Sequence, residues 1–227
     1  MIYWLAWGLL KPILALVIPT KIYGKCYLKK VKRQAAIFCA NHQSNWDPVL
    51  VKLRVDAGSK VMGKHTLFKG PLGWFLRKAG AYPVNREGGD IQAVKTTLSH
   101  LKDNKHIVIF PEGTRLEGEE MTDVKNGVVM FALKTDCYVI PAAFKEKPKT
   151  LKFNKLLIGE PFKFSQFNEF KGVKPTKEVL DKASEILVNK INQLKKIDIK
   201  EFKKKLTEFK LNESLSKKTK KSLLLMK

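Results

Sequence analysis

Residues 35–50 read AAIFCANHQSNWDPVL. The first six are apolar without alternation, which predicts a strand buried on both faces of a sheet. Polar residues follow from Asn41, and then signals for a helix start. Ser44-x-x-Asp47 fits a capping box, and Asp47-Pro48 fits an N-cap followed by proline at the first helical position. A helix is expected from about Trp46 to Leu53. A buried strand that enters a helix through a short polar loop is the repeating unit of an α/β sheet. The loop also holds His42 five positions before Asp47. Alone, that spacing fits either a histidine with an orienting carboxylate or the start of a helix.

The same alternation continues along the chain. Lys60–Met62 and Ala81–Val84 read as short strands. Asp90 reads as an N-cap, with Ile91, Val94, Leu98 and Leu101 on one helical face. HIVIF (106–110) is a strand ended by Pro111, Lys125–Lys134 is a helix, and CYVIP (137–141) is a strand. LKFNKLLIGEPF (151–162) is expected to add edge strands. The pattern predicts a single α/β domain with a mixed, mainly parallel sheet flanked by helices.

The two ends differ from this middle. Residues 1–20, MIYWLAWGLLKPILALVIPT, are apolar on all sides around one lysine. A span needs about 20 apolar residues, and Lys11-Pro12 interrupts this run. It reads as a membrane-seated helix, interfacial or shallowly inserted, with Tyr3, Trp4 and Trp7 at the headgroup level. A buried core helix is the competing reading. After about residue 175 a long basic amphipathic segment begins. Leu180, Leu187, Ile191 and Leu194 share a face that Ile199, Phe202, Leu206 and Phe209 continue. It fits a helix packed on the domain or one lying on a membrane. The last stretch, SKKTKKSLLLMK, is expected to be disordered in water, with Leu223–Met226 able to touch lipid. The expected divisions are 1–20, 21–175 and 176–227.

Composition limits the partners. The chain has 227 residues, 44% hydrophobic and 10% aromatic, enough for a sizeable core. Its formal charge is +23, of which residues 162–227, with 18 Lys and 8 acidic residues, supply +10. Such a balance calls for an anionic partner: nucleic acid, an anionic membrane or phosphorylated substrates. No zinc-finger spacing and no RNP-like motif supports nucleic acid, whereas the apolar amino terminus supports a membrane. Three cysteines without a CxxC pair suit a reducing compartment. Cys39 lies near His42, but its apolar neighbours make it a small buried residue rather than a nucleophile.

No GxGxxG, Walker loop, GxSxG elbow or HExxH is present, and His65, His100 and His106 lack ligand-like spacing, so no metal is expected. Four segments at strand ends remain: NHQSNWD (41–47), GAYPVNR (80–86), FPEGTR (110–115) and VIPAAF (139–144). Loops beyond strand carboxyl ends are where open α/β sheets build ligand sites. His42 suits proton transfer near neutrality, and Asp47 could hold its ring in one tautomer. Arg86 and Arg115 offer forked donors for phosphate, and Lys64 adds a point charge. Gly113 permits a tight turn exposing Glu112 and Arg115. Glu112 could accept a hydrogen bond from a polyol hydroxyl or pair with an arginine.

Taken in order, these segments resemble the four motifs of the glycerolipid acyltransferases. NHQSNWD is similar to their HX4D motif and FPEGTR to their third, over roughly residues 20–165. VMGKHTLFKGPLGWFLRKAG (61–80) resembles the stretch between their first two motifs. The short length most resembles the bacterial 1-acylglycerol-3-phosphate acyltransferases. The resemblance implies transfer of an acyl chain from acyl-CoA or acyl-carrier protein to the sn-2 hydroxyl of lysophosphatidic acid, with no cofactor. It implies His42 as general base oriented by Asp47, without an acyl-enzyme. Lys64, Arg86 and Arg115 would hold the acceptor phosphate, and Glu112 and Gly113 would help position the glycerol. A place at the cytoplasmic face of the cell membrane, against its anionic surface, is expected from the charge and the apolar amino terminus, with no nucleic-acid partner. Glycerol 3-phosphate or another lysophospholipid is the alternative acceptor, and a non-catalytic lipid-binding relative the alternative class. Three features depart from the family pattern. Phe144 stands where some relatives carry glycine, the lysine-rich tail is extra, and only one membrane helix fits before the first strand.

Overall fold

A computed structural model describes residue 8 and residues 12–56, 58–85, 89–112, 120–122 and 124–225. Tyr3, Trp4, Trp7, Arg86, Gly113, Arg115 and Met226 lie outside the described residues. The chain forms two compact units, Met1–Lys195 and Lys196–Lys227.

Among the described residues seven strands make the sheet of the first unit: β1 Thr20–Tyr23, β2 Ala36–Ala40, β3 Lys60–Lys64, β4 Ala81–Val84, β5 His106–Ile109, β6 Tyr138–Phe144 and β7 Asn154–Ile158. Their order is β1-β7-β6-β2-β5-β3-β4. Every pairing is parallel except β6 with β7, so the sheet is mixed and mainly parallel, as the sequence predicts. The expectation of edge strands in 151–162 is corrected. β7 lies inside the sheet between β6 and β1, and Phe162 adds only an isolated bridge to Val139. The edges are β1 and β4, both short.

β2 lies in the middle and all five of its residues are buried. Ala36, Phe38 and Ala40 face a core with Val31, Leu50, Val51, Ile140, Phe144 and Ile158. Strand alternation sends Ile37 and Cys39 to the opposite face. Burying Ile37 or Phe38 contributes about 2 kcal/mol each, which explains why this strand has no polar residue.

Among the described residues the first unit holds, besides the helical residues 12–17, the helices α1 Trp46–Arg54, α2 Gly70–Lys78, α3 Ile91–Lys102, α4 Gly127–Thr135 and α5 Lys177–Lys196, whose last residue opens the second unit. Asp90 caps α3 as expected, its Oδ1 accepting from Ala93 N at 2.9 Å. α2 was not expected, and it matters to the site. Its glycine at position 73 lies so close to the preceding 3₁₀ turn, His65–Phe68, that a Cβ would stand 2.2 Å from the Phe68 carbonyl. α5 buries Ala183, Leu187, Ile191 and Leu194, so the first half of the basic amphipathic segment packs on the domain. Its Asn192 exchanges two hydrogen bonds with the Met121 backbone, at 2.9 and 2.8 Å.

In the second unit α6, Ile199–Leu225, starts where the Asp198 carboxylate accepts from Lys200 N at 2.7 Å. It is helical through residues 216–225, across the stretch for which the lysine-rich sequence predicts disorder. No helix among the described residues is long and apolar enough to cross a membrane.

Polarity sets where the chain termini of the strands collect. β6 runs parallel to β2, so Phe144 and Ala40 end at the same side of the sheet. β7 runs back from that side, and β1 begins there with Thr20 opposite Asn154. The helical residues 12–17 therefore approach the sheet at the end where β2, β3, β5 and β6 finish.

Candidate active site

Asn41 and His42 follow the last residue of β2. Asn41 is buried and bonds to the end of β6 in both directions. Its Nδ2 donates to Phe144 O at 3.1 Å, and its Oδ1 accepts from Phe144 N at 2.8 Å. The pair acts as one extra rung of the sheet and fixes the chain just before His42.

Asp47 is completely buried. Its Oδ2 accepts from the backbone N–H of Gln43 and of Ser44, both at 2.7 Å, and stands 2.8 Å from His42 Nδ1. A carboxylate oxygen already taking two backbone protons is an acceptor, so the Nδ1 proton resides on His42 and donates to it. Nε2 is left as the basic nitrogen. The loop thus does both things its sequence suggests, although the helix begins differently from expectation. Asn45 takes the N-cap position, Asp47 is the second helical residue, and Ser44 Oγ accepts from Trp46 N at 3.2 Å.

The ring of His42 also stacks on Phe110, with centroids 4.5 Å apart and planes at 28°. Its backbone N–H donates to Glu112 Oε2 at 3.0 Å. Burial pushes the Glu112 carboxyl above its ordinary value, and the hydrogen bond from His42 opposes that shift. The contact seen for Glu112 is therefore with the loop of His42, tying the end of β5 to the end of β2. Arg115, expected beside it, is not described.

His42 lines a cavity of about 720 Å³. Pro48 of α1, Met62 of β3, Leu67, Leu72 and Leu76 around α2, and Phe110 give it an apolar wall, while Asn45 and the exposed Lys64 add polar groups. A largely apolar groove of this size, with His42 in its wall, suits an aliphatic chain whose reactive head lies at the histidine. Lys64 thus shares the groove with His42. Its register puts it opposite Val84, two residues before Arg86.

Cys39 offers no rival nucleophile. It is buried, and burial pushes its thiol well above the ordinary value. Among the described residues no group of three His, Cys, Asp or Glu is placed to hold a metal ion. Sequence reading gave no role to Asn41 or Phe110. Asn41 was signalled only as the polar residue ending an apolar strand, and the Phe110 stack needs β2 and β5 to be adjacent.

The family model described as Acyltransferase matches residues 20–145. The 1-acyl-sn-glycerol-3-phosphate acyltransferase of Bacillus subtilis (strain 168) is 32% identical over 197 residues, covering 82% of this chain and 92% of that protein. The lyso-ornithine lipid O-acyltransferase of Pseudomonas aeruginosa is 30% identical over 140 residues, covering 60% of this chain and 51% of that protein. The crystal structure of the 1-acyl-sn-glycerophosphate (LPA) acyltransferase, PlsC, from Thermotoga maritima matches the fold with a TM-score of 0.59 at 25% identity. That match covers 79% of this chain and 73% of the crystal-structure chain. With the matched family model spanning more than half its length and including the His42 loop, the chain belongs to the acyltransferase family of glycerolipid enzymes.

Proposed function

We propose that this acyltransferase moves an acyl chain from a thioester donor, acyl-CoA or acyl-carrier protein, to the sn-2 hydroxyl of lysophosphatidic acid, giving phosphatidic acid and a free thiol. The observation that carries the reading is the His42–Asp47 pair at the end of β2, facing a largely apolar cavity of about 720 Å³. The names of the similar bacterial proteins agree with it.

The chemistry follows from the tautomer. Nε2 of His42 takes the proton of the sn-2 hydroxyl as its oxygen attacks the thioester carbonyl. The tetrahedral adduct collapses, the carbon–sulfur bond breaks, and the thiolate recovers the proton from the imidazolium. Asp47 stabilises that imidazolium and keeps the ring from turning. Phe110 removes the other freedom, rotation of the plane. Attack is direct, since the one cysteine near His42 is buried with a raised thiol pKa. Lys64 meets the acceptor phosphate from the groove, and Arg86 and Arg115 join it by family resemblance. Glu112 positions the glycerol through the His42 loop it holds. The enzyme works at the membrane surface, on its cytoplasmic face, where the acceptor's own chain is seated in lipid.

A second reading keeps the reaction and changes the acceptor to another lysolipid, and the likeness to a lyso-ornithine lipid O-acyltransferase favours it. Both donors assayed against lysophosphatidic acid, glycerol 3-phosphate and lyso-ornithine lipid separate the two. The first reading expects phosphatidic acid as the fastest-formed product by mass spectrometry. A preference for either other acceptor would replace it.

A further inference from the structure

The turn between β6 and β7 leaves the sheet one strand away from His42, beginning at Phe144, which Asn41 grips. Lys145 N donates to Lys155 O at 3.1 Å and closes its base. Its tip carries Leu151 and Phe153, which are 79% and 82% exposed. Leu151 adopts φ +57°, a left-handed conformation that an L residue with a side chain takes only at a cost. Glycine would take this conformation more easily than leucine.

The conformation is built rather than loose. Asn154 is buried, and its side chain organises the turn. Oδ1 accepts from Lys149 N at 2.8 Å, while Nδ2 lies 3.0 Å from Lys149 O, 2.9 Å from Lys152 O and 3.2 Å from Pro19 O. Leu151 N donates to Val17 O at 2.6 Å, which seats the turn against the helical residues 12–17. Those residues expose Ile13 and Leu16. Two chain segments far apart in sequence thus bring exposed apolar side chains to the sheet end that carries His42. Residues 145–155, KEKPKTLKFNK, hold five lysines and one glutamate. Lys149 and Lys152 are exposed beside the apolar tip.

We infer that the β6–β7 turn is a membrane-inserting finger: Leu151 and Phe153 enter the interfacial region of an anionic bilayer while Lys149 and Lys152 meet its headgroups. An apolar tip ringed by lysines is complementary to a negatively charged lipid surface, and each lysine near it adds attraction. The finger and residues 12–17 then hold the His42 end of the sheet against the lipid. This rests on the lipid-substrate reading above, but binding is measured without substrate, so loss of one conclusion does not remove the other.

The test is co-sedimentation of the full chain with phosphatidylcholine vesicles containing phosphatidylglycerol, and with pure phosphatidylcholine vesicles. L151S/F153S should weaken partitioning into the anionic vesicles by about tenfold or more. Its melting temperature should stay at the wild-type value, because both side chains are exposed. K149Q/K152Q should weaken binding to anionic vesicles alone, with the difference from wild type vanishing at high salt. For F153W, the added tryptophan emission relative to wild type should shift to the blue on vesicles and be quenched by brominated acyl chains. Unchanged partitioning of L151S/F153S, or an unquenched F153W signal while the protein is vesicle-bound, would overturn the inference. So would concentration-dependent self-association that disappears in L151S/F153S, which would make the finger a contact between copies of the chain.

Discussion

His42 is held at three points by three different kinds of contact: a carboxylate at Nδ1, an aromatic face against the ring, and a glutamate at its backbone N–H. Their separation makes them testable one by one. Asp47→Asn keeps the shape but gives up the charge that stabilises the imidazolium, so kcat should fall about 100-fold or more with little change in KM. Steady-state kinetics on the variant reads this directly. Asn41→Ala leaves the Phe144 N–H and carbonyl unpaired in a buried place. Denaturant unfolding should show a loss of about 2 kcal/mol, and kcat should fall as well, because His42 is the next residue. The pairing of His42 with Asp47 was legible in the sequence because the two are only five residues apart. Asn41 was not, since its partner is Phe144, 103 residues away.

At the scale of elements, the groove depends on α2 and the turn before it. Gly73 is the position where α2 crosses Phe68, and a Cβ there would meet the Phe68 backbone, which has no rotamer to yield. Gly73→Ala should cost about 3 kcal/mol, read as a lower denaturation midpoint. It should also raise KM for long-chain donors more than for short ones, since Leu67, Leu72 and Leu76 line the groove. The sequence contained signals for α2, with Gly70-Pro71 at its start and Gly80 just beyond its end, but its short apolar stretch lacks a clear helical period. The strands fared better where burial is complete: continuous apolar runs gave β2 and β5 within a residue. β7 lies inside the sheet and not at its edge, because position within a sheet is set by pairing partners that the local pattern does not name.

For the whole molecule, a second histidine–carboxylate pair lies at the opposite end of the sheet from His42. His106, the first residue of β5, has Nδ1 2.6 Å from Asp56 Oδ2 and Nε2 3.0 Å from Val31 O. Both nitrogens face acceptors, an arrangement that favours the protonated ring. The hydrogen bond to Asp56 raises the His106 pKa above the ordinary 6.5, against the effect of burial. Burial works to raise the Asp56 pKa, but the hydrogen bonds from His106 and Gly58 N–H together with the charges of His106 and Lys52 outweigh it, and the carboxyl is lowered. A raised histidine contributes stability that is complete below its unfolded pKa and is lost as pH rises through the folded one. A lowered carboxyl contributes stability above its unfolded value, lost as pH falls through the folded one. The pair therefore stabilises most between about pH 4 and 6.5. Thermal melts of wild type should show Tm falling as pH rises from 6.5, apart from the contribution of other groups, and His106→Gln should flatten that limb. This pair bridges β5, the turn after α1 and the 3₁₀ turn at Lys25–Val31, and the sequence showed only an isolated histidine.

The central claim is that His42 takes a proton from a lipid hydroxyl, and thiol release from acyl-CoA or acyl-carrier protein by the purified full chain tests it most directly. Wild type should release thiol only when lysophosphatidic acid is present, with one phosphatidic acid formed per thiol. His42→Ala, folded and still bound to vesicles, should be slower by about 10²–10⁴-fold. A His42→Ala variant that keeps near wild-type turnover, or wild type that binds vesicles yet turns over no lysolipid, would contradict the account.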